Sequence, residues 1–596
     1  MGNPDFACLQ SIFKNNNTLG CFKGLVAASA TELVTLHVLA YILNEPSWWI
    51  SIGTPEIVQR WLSEMSNVAA TMNQPSLDMD MVISLARHLA DTSVCTLDDG
   101  SIIVPGPVVG TLSSSNAIPM LLQARLVAHT RILEDIPEEH KDWLMTCRST
   151  TTMGTSDTAV SSDKNELSLV HPSLFCLYYN HTMIKLDSRK NLQRMQPPWS
   201  QFVGSGNQIA RVPNRGITGP WLTRSLRFQW LPSEVVVSPS GVPTITSYIN
   251  NLHPSHHSEL YQDITDIFQQ FIPLFEKQVS LLMSLPSISR LLTVNQSADS
   301  LNDLSSSDSE ESDDVSHGST TDTSSDSTNA PHTNIPKANV SFKGRRLQII
   351  IKLSQIHVSP NHPEYIGEQW CFDGNANEAI VATGIYAYAV SDMVTPPTIE
   401  FRSPVTPRPE SRSNNAAGHI LDRHGLAAGS FTNQDLGSIV LKQGQCVTYP
   451  NILQHRLNPI RLLDPFKDQC AHCKFLTFYL VDPSKTIVST AAVPPQQIGW
   501  VTDAMSCSEC IPQLPNEVLR LIAQYLPGVV TASVARSRQT LVMHEQIHII
   551  GAAINSRLER RIIAAETDDD SSEDLDDDSS EDSDDDSNED SDDQSE

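Results

Sequence analysis

Three side chains in the second half of the chain have the types and the spacing that could hold a metal ion. Cys371 and Asp373 are separated by one residue, and His455 lies about eighty positions further on. Residues i and i+2 of a β-strand point to the same face, so Cys371 and Asp373 can address one ion together with a histidine from a later strand. Non-haem iron centres use two histidines and one carboxylate and leave positions open for oxygen and a cosubstrate. The pattern predicts a metal site with Cys371 in place of the first histidine.

The same residues also allow a purely structural interpretation. Cys371 is small enough to be an ordinary buried residue, Asp373 precedes Gly374 as turn-forming residues do, and His455 could be a hydrogen-bonded polar group. Spacing alone leaves both interpretations open.

A cosubstrate site would need a cation near this metal site. Where the cosubstrate of such an iron centre is 2-oxoglutarate, the carboxylate that lies far from the metal is buried and needs a positively charged partner. The cations that follow His455 are Arg461 and Lys474, the latter within Ala471–Leu476, so we predict Lys474 and Arg461 as cosubstrate-binding residues.

Short sequence segments along much of the chain resemble those of a fungal family of uncharacterised proteins, domain of unknown function 4246. They run in order as Val170–Phe175, Phe228–Glu234, Ser247–Pro254, Asn377–Glu378, Ala382–Tyr386, Val481–Pro483 and Val493–Gln497. The resemblance implies a double-stranded β-helix (jelly roll) related to Fe(II)/2-oxoglutarate oxygenases. It also implies that Asp373 and His455 match the metal pattern of the family.

Two positions depart from the family pattern. The family has Trp-His-x-Glu-Gly where this chain has Trp370–Gly374, and Gly-His-Arg-Lys where it has Ala471–Lys474. The first metal histidine and the presumed cosubstrate arginine are thus Cys371 and Cys473. A thiolate favours zinc or iron–sulfur chemistry over an open Fe(II) centre. We therefore expect a degenerate oxygenase-like core without oxygenase turnover. The alternatives are an active iron oxygenase with an altered ligand set and a non-enzymatic interaction protein.

Two Cys-x-x-Cys pairs offer a different metal site. Cys470 with Cys473, and Cys507 with Cys510, would together supply four thiolates for zinc. The 33 residues between the pairs exceed the usual gap of a zinc ribbon, so coincidence remains the competing interpretation. His253, His256 and His257 form another local cluster, which we interpret as a polar loop because no acid or cysteine accompanies it in the sequence.

The charge of the chain is concentrated in two segments. Residues 299–330 and 568–596 hold 27 acidic and no basic residues, which accounts for nearly all of the net charge of −29. The nearly neutral remainder has no clustered basic surface, so we expect no nucleic-acid partner. The acidic tail could bind basic proteins. The N-terminus lacks a signal pattern and no apolar stretch suits a membrane span, so we predict a cytoplasmic or nuclear protein that is not secreted.

Periodicity predicts an α+β protein with a helical N-terminal part and a C-terminal double-stranded β-helix core. Apolar alternation at Leu347–Leu353, Ala379–Val390, Ser438–Thr448 and Phe475–Val481 predicts strands, and Glu259–Met283 predicts an amphipathic helix that Pro273 kinks or splits. The expected divisions are 1–145 (mainly helical), 146–295 (mixed, with the long helix), 296–338 (disordered acidic loop), 339–500 (β-helix core), 501–566 (closing helices) and 567–596 (disordered acidic tail).

Overall fold

The structure is a computed structural model. It describes residues 28–72, 77–144, 147–149, 158–160, 165–185, 200, 203–204, 206–212, 224–283, 340–404, 431, 433–467, 469–507, 514–551 and 555. The predicted acidic loop (296–338), the acidic tail (567–596) and Cys510 lie outside these residues.

Helices build the N-terminal part and flank the sheets. They are α1 (Ala30–Leu43), α2 (Trp48–Ser51), α3 (Pro55–Thr71), α4 (Met79–Ser93), α5 (Met120–Glu134), α6 (Ser258–Met283), α7 (Ile498–Ser506), α8 (Asn516–Gln524) and α9 (Ala532–His544), with a 3-10 turn at Glu138–His140 and a π-helical segment at Glu545–Gly551. A capping box starts α1: the Ser29 hydroxyl accepts the N–H of Glu32, and the Glu32 carboxylate accepts the N–H of Ser29. Helices α1–α4 pack around Trp48 and Trp61, both fully buried, as a separate hydrophobic cluster.

The described residues also form twenty-two strands. They are β1 (Cys95–Thr96), β2 (Ile102–Pro105), β3 (Leu112–Ser114), β4 (Asp142–Leu144), β5 (Cys147–Ser149), β6 (Thr158–Val160), β7 (Glu166–Val170), β8 (Leu177–Tyr178), β9 (Met183–Ile184), β10 (Gln208–Ile209), β11 (Phe228–Gln229), β12 (Ser233–Val237), β13 (Pro243–Ile245), β14 (Arg346–Val358), β15 (Glu364–Tyr365), β16 (Ile380–Val390), β17 (Thr398–Pro404), β18 (Asn433–Val440), β19 (Cys446–Pro450), β20 (Gln454–Leu457), β21 (Ile460–Arg461) and β22 (Ala471–Val481).

Eleven of these strands form one antiparallel sheet, the main sheet. Its order is β1-β2-β3-β19-β16-β22-β14-β12-β13, with β7 paired to β14 and β4 paired to β7. The long central strands β14 and β22 pair from Ile349 opposite Leu480 to Val358 opposite Ala471. Because side chains alternate along a strand, this register fixes which residues of the two strands share a face.

One face of the main sheet is covered by α6. The ring of Phe478 on β22 lies 5.3 Å from that of Phe268 and 5.2 Å from that of Phe271, centroid to centroid. The helix comes so close to β16 that a Cβ on Gly384 would lie 2.7 Å from the Phe271 ring. Only glycine fits there without displacing the helix.

The other face of the main sheet meets a second, smaller sheet of order β18-β17-β20. Phe401 of β17 packs edge-on against Tyr449 of β19, with ring centroids 5.2 Å apart. Both sheets contribute to one hydrophobic core. A cavity of about 70 Å³ lies between them.

Several sequence predictions are confirmed. β14, β16 and β22 occupy the alternating segments, and α6 matches the predicted amphipathic helix. Pro273 lies inside α6, which runs from Ser258 to Met283, so of the predicted kink or split the structure excludes the split. The N-terminal part also contributes strands to the main sheet, where β3 pairs with β19. The described part of the chain thus combines helices with antiparallel sheets.

No helix within the described ranges combines the length and the apolar character that crossing a membrane requires.

Candidate metal centre

Asp373 and His455 lie side by side on the wall of the cavity. Nε2 of His455 is 3.5 Å from Oδ1 of Asp373, and both side chains are largely buried. The two segments are joined by paired backbone hydrogen bonds, in which the N–H groups of Cys371 and His455 each donate to the other residue's carbonyl at 3.0 Å. The structure therefore brings together the two residues that the sequence singled out from distant positions.

Asn451 fixes the segment that carries Asp373. Its side-chain oxygen accepts the N–H of Asp373 at 2.9 Å, and its Nδ2 donates to the carbonyls of Asp373 at 2.9 Å and of Ile380 at 3.1 Å. Gly374 then turns the chain with a φ of +63°, a conformation that glycine adopts readily. The guanidinium carbons of Arg402 and Arg456 lie 4.5 and 4.6 Å from the centroid of the Trp370 ring.

Two hydroxyl groups act on the Asp373 carboxylate. Thr383 donates to Oδ2 at 2.6 Å, and Tyr449 donates to the same oxygen at 3.3 Å while its hydroxyl also lies 3.4 Å from Nε2 of His455. Burial acts against the ionised carboxyl, but His455 and these hydroxyl groups outweigh it and lower the pKa of Asp373. Burial likewise disfavours the imidazolium, yet Asp373 and Cys371 together hold the pKa of His455 well above its usual value.

The donor atoms of Asp373 and His455 fit one metal ion. Two ligand bonds of ~2.1 Å to a shared ion place their donor atoms at most ~4.2 Å apart. The separation of 3.5 Å satisfies this limit. The ion would take the place of the proton that now links the two groups, as metal binding to histidine generally does.

Cys371 does not complete this set. Its sulfur contacts the backbone carbonyl of His455 at 3.7 Å, and it is not among the residues that line the cavity. Burial is the main reason why the pKa of the Cys371 thiol is raised, so the thiolate form that binds metals is disfavoured. Cys371, Asp373 and His455 also fail to bring three ligand atoms within 4.8 Å of one another.

The two cations predicted to hold a cosubstrate lie away from the cavity. Nζ of Lys474 lies 2.7 Å from both carboxylate oxygens of Glu134 on α5, on the helix-covered face of the main sheet. Nη2 of Arg461 lies 2.8 Å from Oε1 of Glu364, and both of these side chains are exposed. The structure does not bring Lys474 or Arg461 together with Asp373.

The three cysteines of the predicted zinc site that the structure describes do not lie together. Cys470 and Cys507 are exposed, whereas Cys473 is buried in the main sheet, where burial raises the pKa of its thiol to about 12. These three form no group with ligand atoms within 4.8 Å, and Cys510 lies outside the described residues.

The histidine loop has an acidic neighbour that the sequence did not indicate. Asp503 on α7 lies with Oδ2 3.7 Å from Nε2 of His253 and 3.4 Å from Nε2 of His256. Nδ1 of His253 accepts the N–H groups of Ser255 and His256 at 3.2 Å, so the neutral ring carries its proton on Nε2. Burial and the neighbouring histidines lower the pKa of His253 to about 4. His253, His256 and Asp503 each bring one possible ligand atom within 4.8 Å of the others, but in this tautomer Nε2 of His253 carries a proton instead of a free lone pair.

Sequence reasoning missed the charged residues in the cavity wall. Lys352 and Glu166 line it, with Nζ of Lys352 3.0 Å from Oε1 of Glu166, and Tyr365 and Glu368 lie beside them. One signal was present: Lys352 is the lone charged residue in the apolar run from Leu347 to Leu353. A cation in the middle of a buried strand indicates a paired or functional charge.

Comparisons with solved structures give weak likenesses. The chain is 10% identical to IDO from Bacillus thuringiensis over 23% of this chain and 45% of that one, with a TM-score of 0.15. It is 9% identical to AviO1 from Streptomyces viridochromogenes Tue57 over 22% and 51% of the two chains, with a TM-score of 0.13. A non-heme monooxygenase, the ThoJ–Ni complex, is 11% identical over 33% and 67%, with a TM-score of 0.15. The chain spans about half the length of the first two structures. At TM-scores this low, the likenesses carry no argument here.

No curated protein matches the chain. A family model does match, over residues 79–504, which include β1–β22, α5, α6 and the Asp373–His455 pair. The matched residues make up well over half of the sequence. The chain belongs to the family described as protein of unknown function (DUF4246).

Proposed function

We propose that this protein is an oxygenase-like, divalent-metal-binding protein that lacks 2-oxoglutarate oxygenase turnover. Its two facing sheets are interpreted as a double-stranded β-helix, with the metal held at one side of the cavity between them. The observation that carries the proposal is the pairing of Asp373 with His455 at 3.5 Å in a cavity that Cys371 does not line.

Asp373 and His455 would hold the ion, for which Fe(II) is the proposed metal and zinc the alternative. Such an ion, when bound, supplies a Lewis-acidic centre with open positions. Thr383 and Tyr449 orient the Asp373 carboxylate through Oδ2 and leave Oδ1 facing His455. Support of this kind fixes the geometry of metal ligands.

Loss of turnover is supported by the remaining members of the predicted site. Cys371 provides a buried thiol with a raised pKa instead of an imidazole. Lys474 is bound to Glu134 on the opposite face of the sheet, and Arg461 pairs with Glu364 at the surface. A 2-oxoglutarate molecule beside Asp373 would therefore meet neither of the cations that the sequence offered for it.

Decarboxylation of 2-oxoglutarate tests this proposal. Protein loaded with Fe(II) under anaerobic conditions is exposed to oxygen and 2-oxoglutarate, and succinate is measured. We expect no more succinate from the wild type than from His455→Ala. The matched control is His472→Ala, which alters a half-buried histidine of β22 outside the cavity lining. Succinate formation that His455→Ala abolishes and His472→Ala preserves would overturn the proposal.

A further inference from the structure

The cavity wall contains a buried ion pair that the proposed metal site does not use. Lys352 projects from the middle of β14, and its Nζ lies 3.0 Å from Oε1 of Glu166 on β7, the strand paired to β14. The side chains are 17% and 10% exposed, so both charges are largely withdrawn from water. Burying two charges in this way is costly unless each is well paired.

A buried phenol lies in the cavity wall with Glu166. Burial is the main reason why the pKa of Tyr365 is well above its usual value, and an interaction of its hydroxyl with the Glu166 carboxylate adds to this. An ammonium and a phenolic hydroxyl directed at one carboxylate are what a protein site for a carboxylic acid provides. Here the carboxylate comes from the chain itself.

The rest of the cavity offers little to a further anion. Glu368 and Asp373 line it beside Glu166, and among the described residues that line it Lys352 is the one lysine or arginine. The volume of about 70 Å³ accommodates only roughly five water molecules. A carboxylate that binds Lys352 would compete with Glu166 for the ammonium group.

We propose that Lys352 and Tyr365 form a carboxylate-binding subsite that Glu166 occupies, so that Glu166 excludes small carboxylic acids from the cavity. This goes beyond the proposed metal function and does not depend on it, because the subsite consists of residues other than Asp373 and His455. Glu166 is thus a specificity-determining residue of the cavity.

Replacing Glu166 with alanine tests this directly. The substitution removes a CH₂–COO⁻ group, which has the size and charge of acetate, and leaves Lys352 facing the vacated space. Binding of acetate and of 2-oxoglutarate is measured by calorimetry in full-length protein with a metal chelator present, at constant ionic strength. We expect Glu166→Ala to bind acetate roughly ten- to a hundredfold more tightly than the wild type, as a charge-assisted hydrogen-bonded pair warrants. The gain should disappear when Lys352→Met is added.

Glu134→Ala is the matched control. It also leaves a buried lysine, Lys474, without its carboxylate, but on the helix-covered face and outside the cavity lining. We expect no acetate binding there. Equal gains in the two variants, or wild-type binding as tight as that of Glu166→Ala, would overturn the proposal.

Folding of the variant gives a second readout. If Glu166→Ala is soluble only when purified in acetate, and unfolds when chloride replaces it, acetate is filling the subsite. A variant that stays unfolded at every acetate concentration counts against it. Because a chelator is present throughout, a negative result for acetate binding does not affect the metal-binding proposal. A result of the succinate test that overturns that proposal does not affect the carboxylate-binding subsite.

Discussion

The ion pair between Lys474 and Glu134 should contribute to stability and not to ligand binding. Nζ lies 2.7 Å from both carboxylate oxygens, and the side chains are only 6% and 15% exposed. At an effective dielectric constant of about 20, two unit charges at this distance attract each other by about 6 kcal/mol. Desolvation cancels a large part of this attraction. Removing one partner should still cost about 3 kcal/mol, because the other charge stays buried.

Urea denaturation followed by tryptophan fluorescence measures this free energy of unfolding. We expect Glu134→Ala and Lys474→Ala each to destabilise the protein by about 3 kcal/mol, and Glu134→Leu combined with Lys474→Met to recover most of that loss. Calorimetry with 2-oxoglutarate should give the same result for Lys474→Ala as for the wild type. This placement of Lys474 would be refuted if Lys474→Ala were as stable as the wild type and lost a binding of 2-oxoglutarate that the wild type shows.

Three further predictions concern the cavity and the sheet around it. Cys371→His should raise the affinity for Fe(II) at least about tenfold by offering a neutral imidazole, measured by anaerobic titration; an unchanged affinity would show that position 371 cannot reach the ion. Gly384→Ala should cost ~1–3 kcal/mol in urea denaturation because its Cβ would collide with Phe271, whereas Gly499→Ala, with no atom within 4 Å, should not destabilise. Burial raises the pKa of Glu378 to about 7 from 4.5. Between pH 4.5 and 7 the Glu378 carboxyl of the native protein therefore keeps a proton that the carboxyl of the unfolded chain has released. The free energy of unfolding should fall by about 3 kcal/mol as the pH rises from below 4.5 to 7. An equally steep fall in Glu378→Gln would contradict this.

The strands and the long helix could be predicted from sequence because their periodicity is strong. β14 alternates through Leu347–Leu353, and α6 presents a continuous apolar stripe to the sheet. Sequence alone left open whether Pro273 kinks or splits the helix. Packing of α6 on the sheet keeps the helix continuous around one missing hydrogen bond. The pairing of β3 with β19 could not be predicted, since three residues give no usable period.

The candidate site was predictable only in part. Asp373 and His455 were found because their residue types are those of metal ligands. Alternation along β22 indicates that Lys474 and Cys473 face opposite sides of the sheet, but the pairing of Lys474 with Glu134 could not be predicted, because it depends on the position of α5. The pairing of Lys352 with Glu166 depends on the approach of β7 to β14, some 190 residues apart in sequence. Contacts of this range leave no local pattern.

Metal content by mass spectrometry on anaerobically purified protein tests the central claim most directly. The samples are the wild type, Asp373→Asn, His455→Ala, Cys473→Ser and the control His472→Ala. We predict one divalent metal ion per chain in the wild type, in Cys473→Ser and in the control, and its loss in Asp373→Asn and His455→Ala. Zinc lost only in Cys473→Ser, or no stoichiometric metal in any sample, would contradict it.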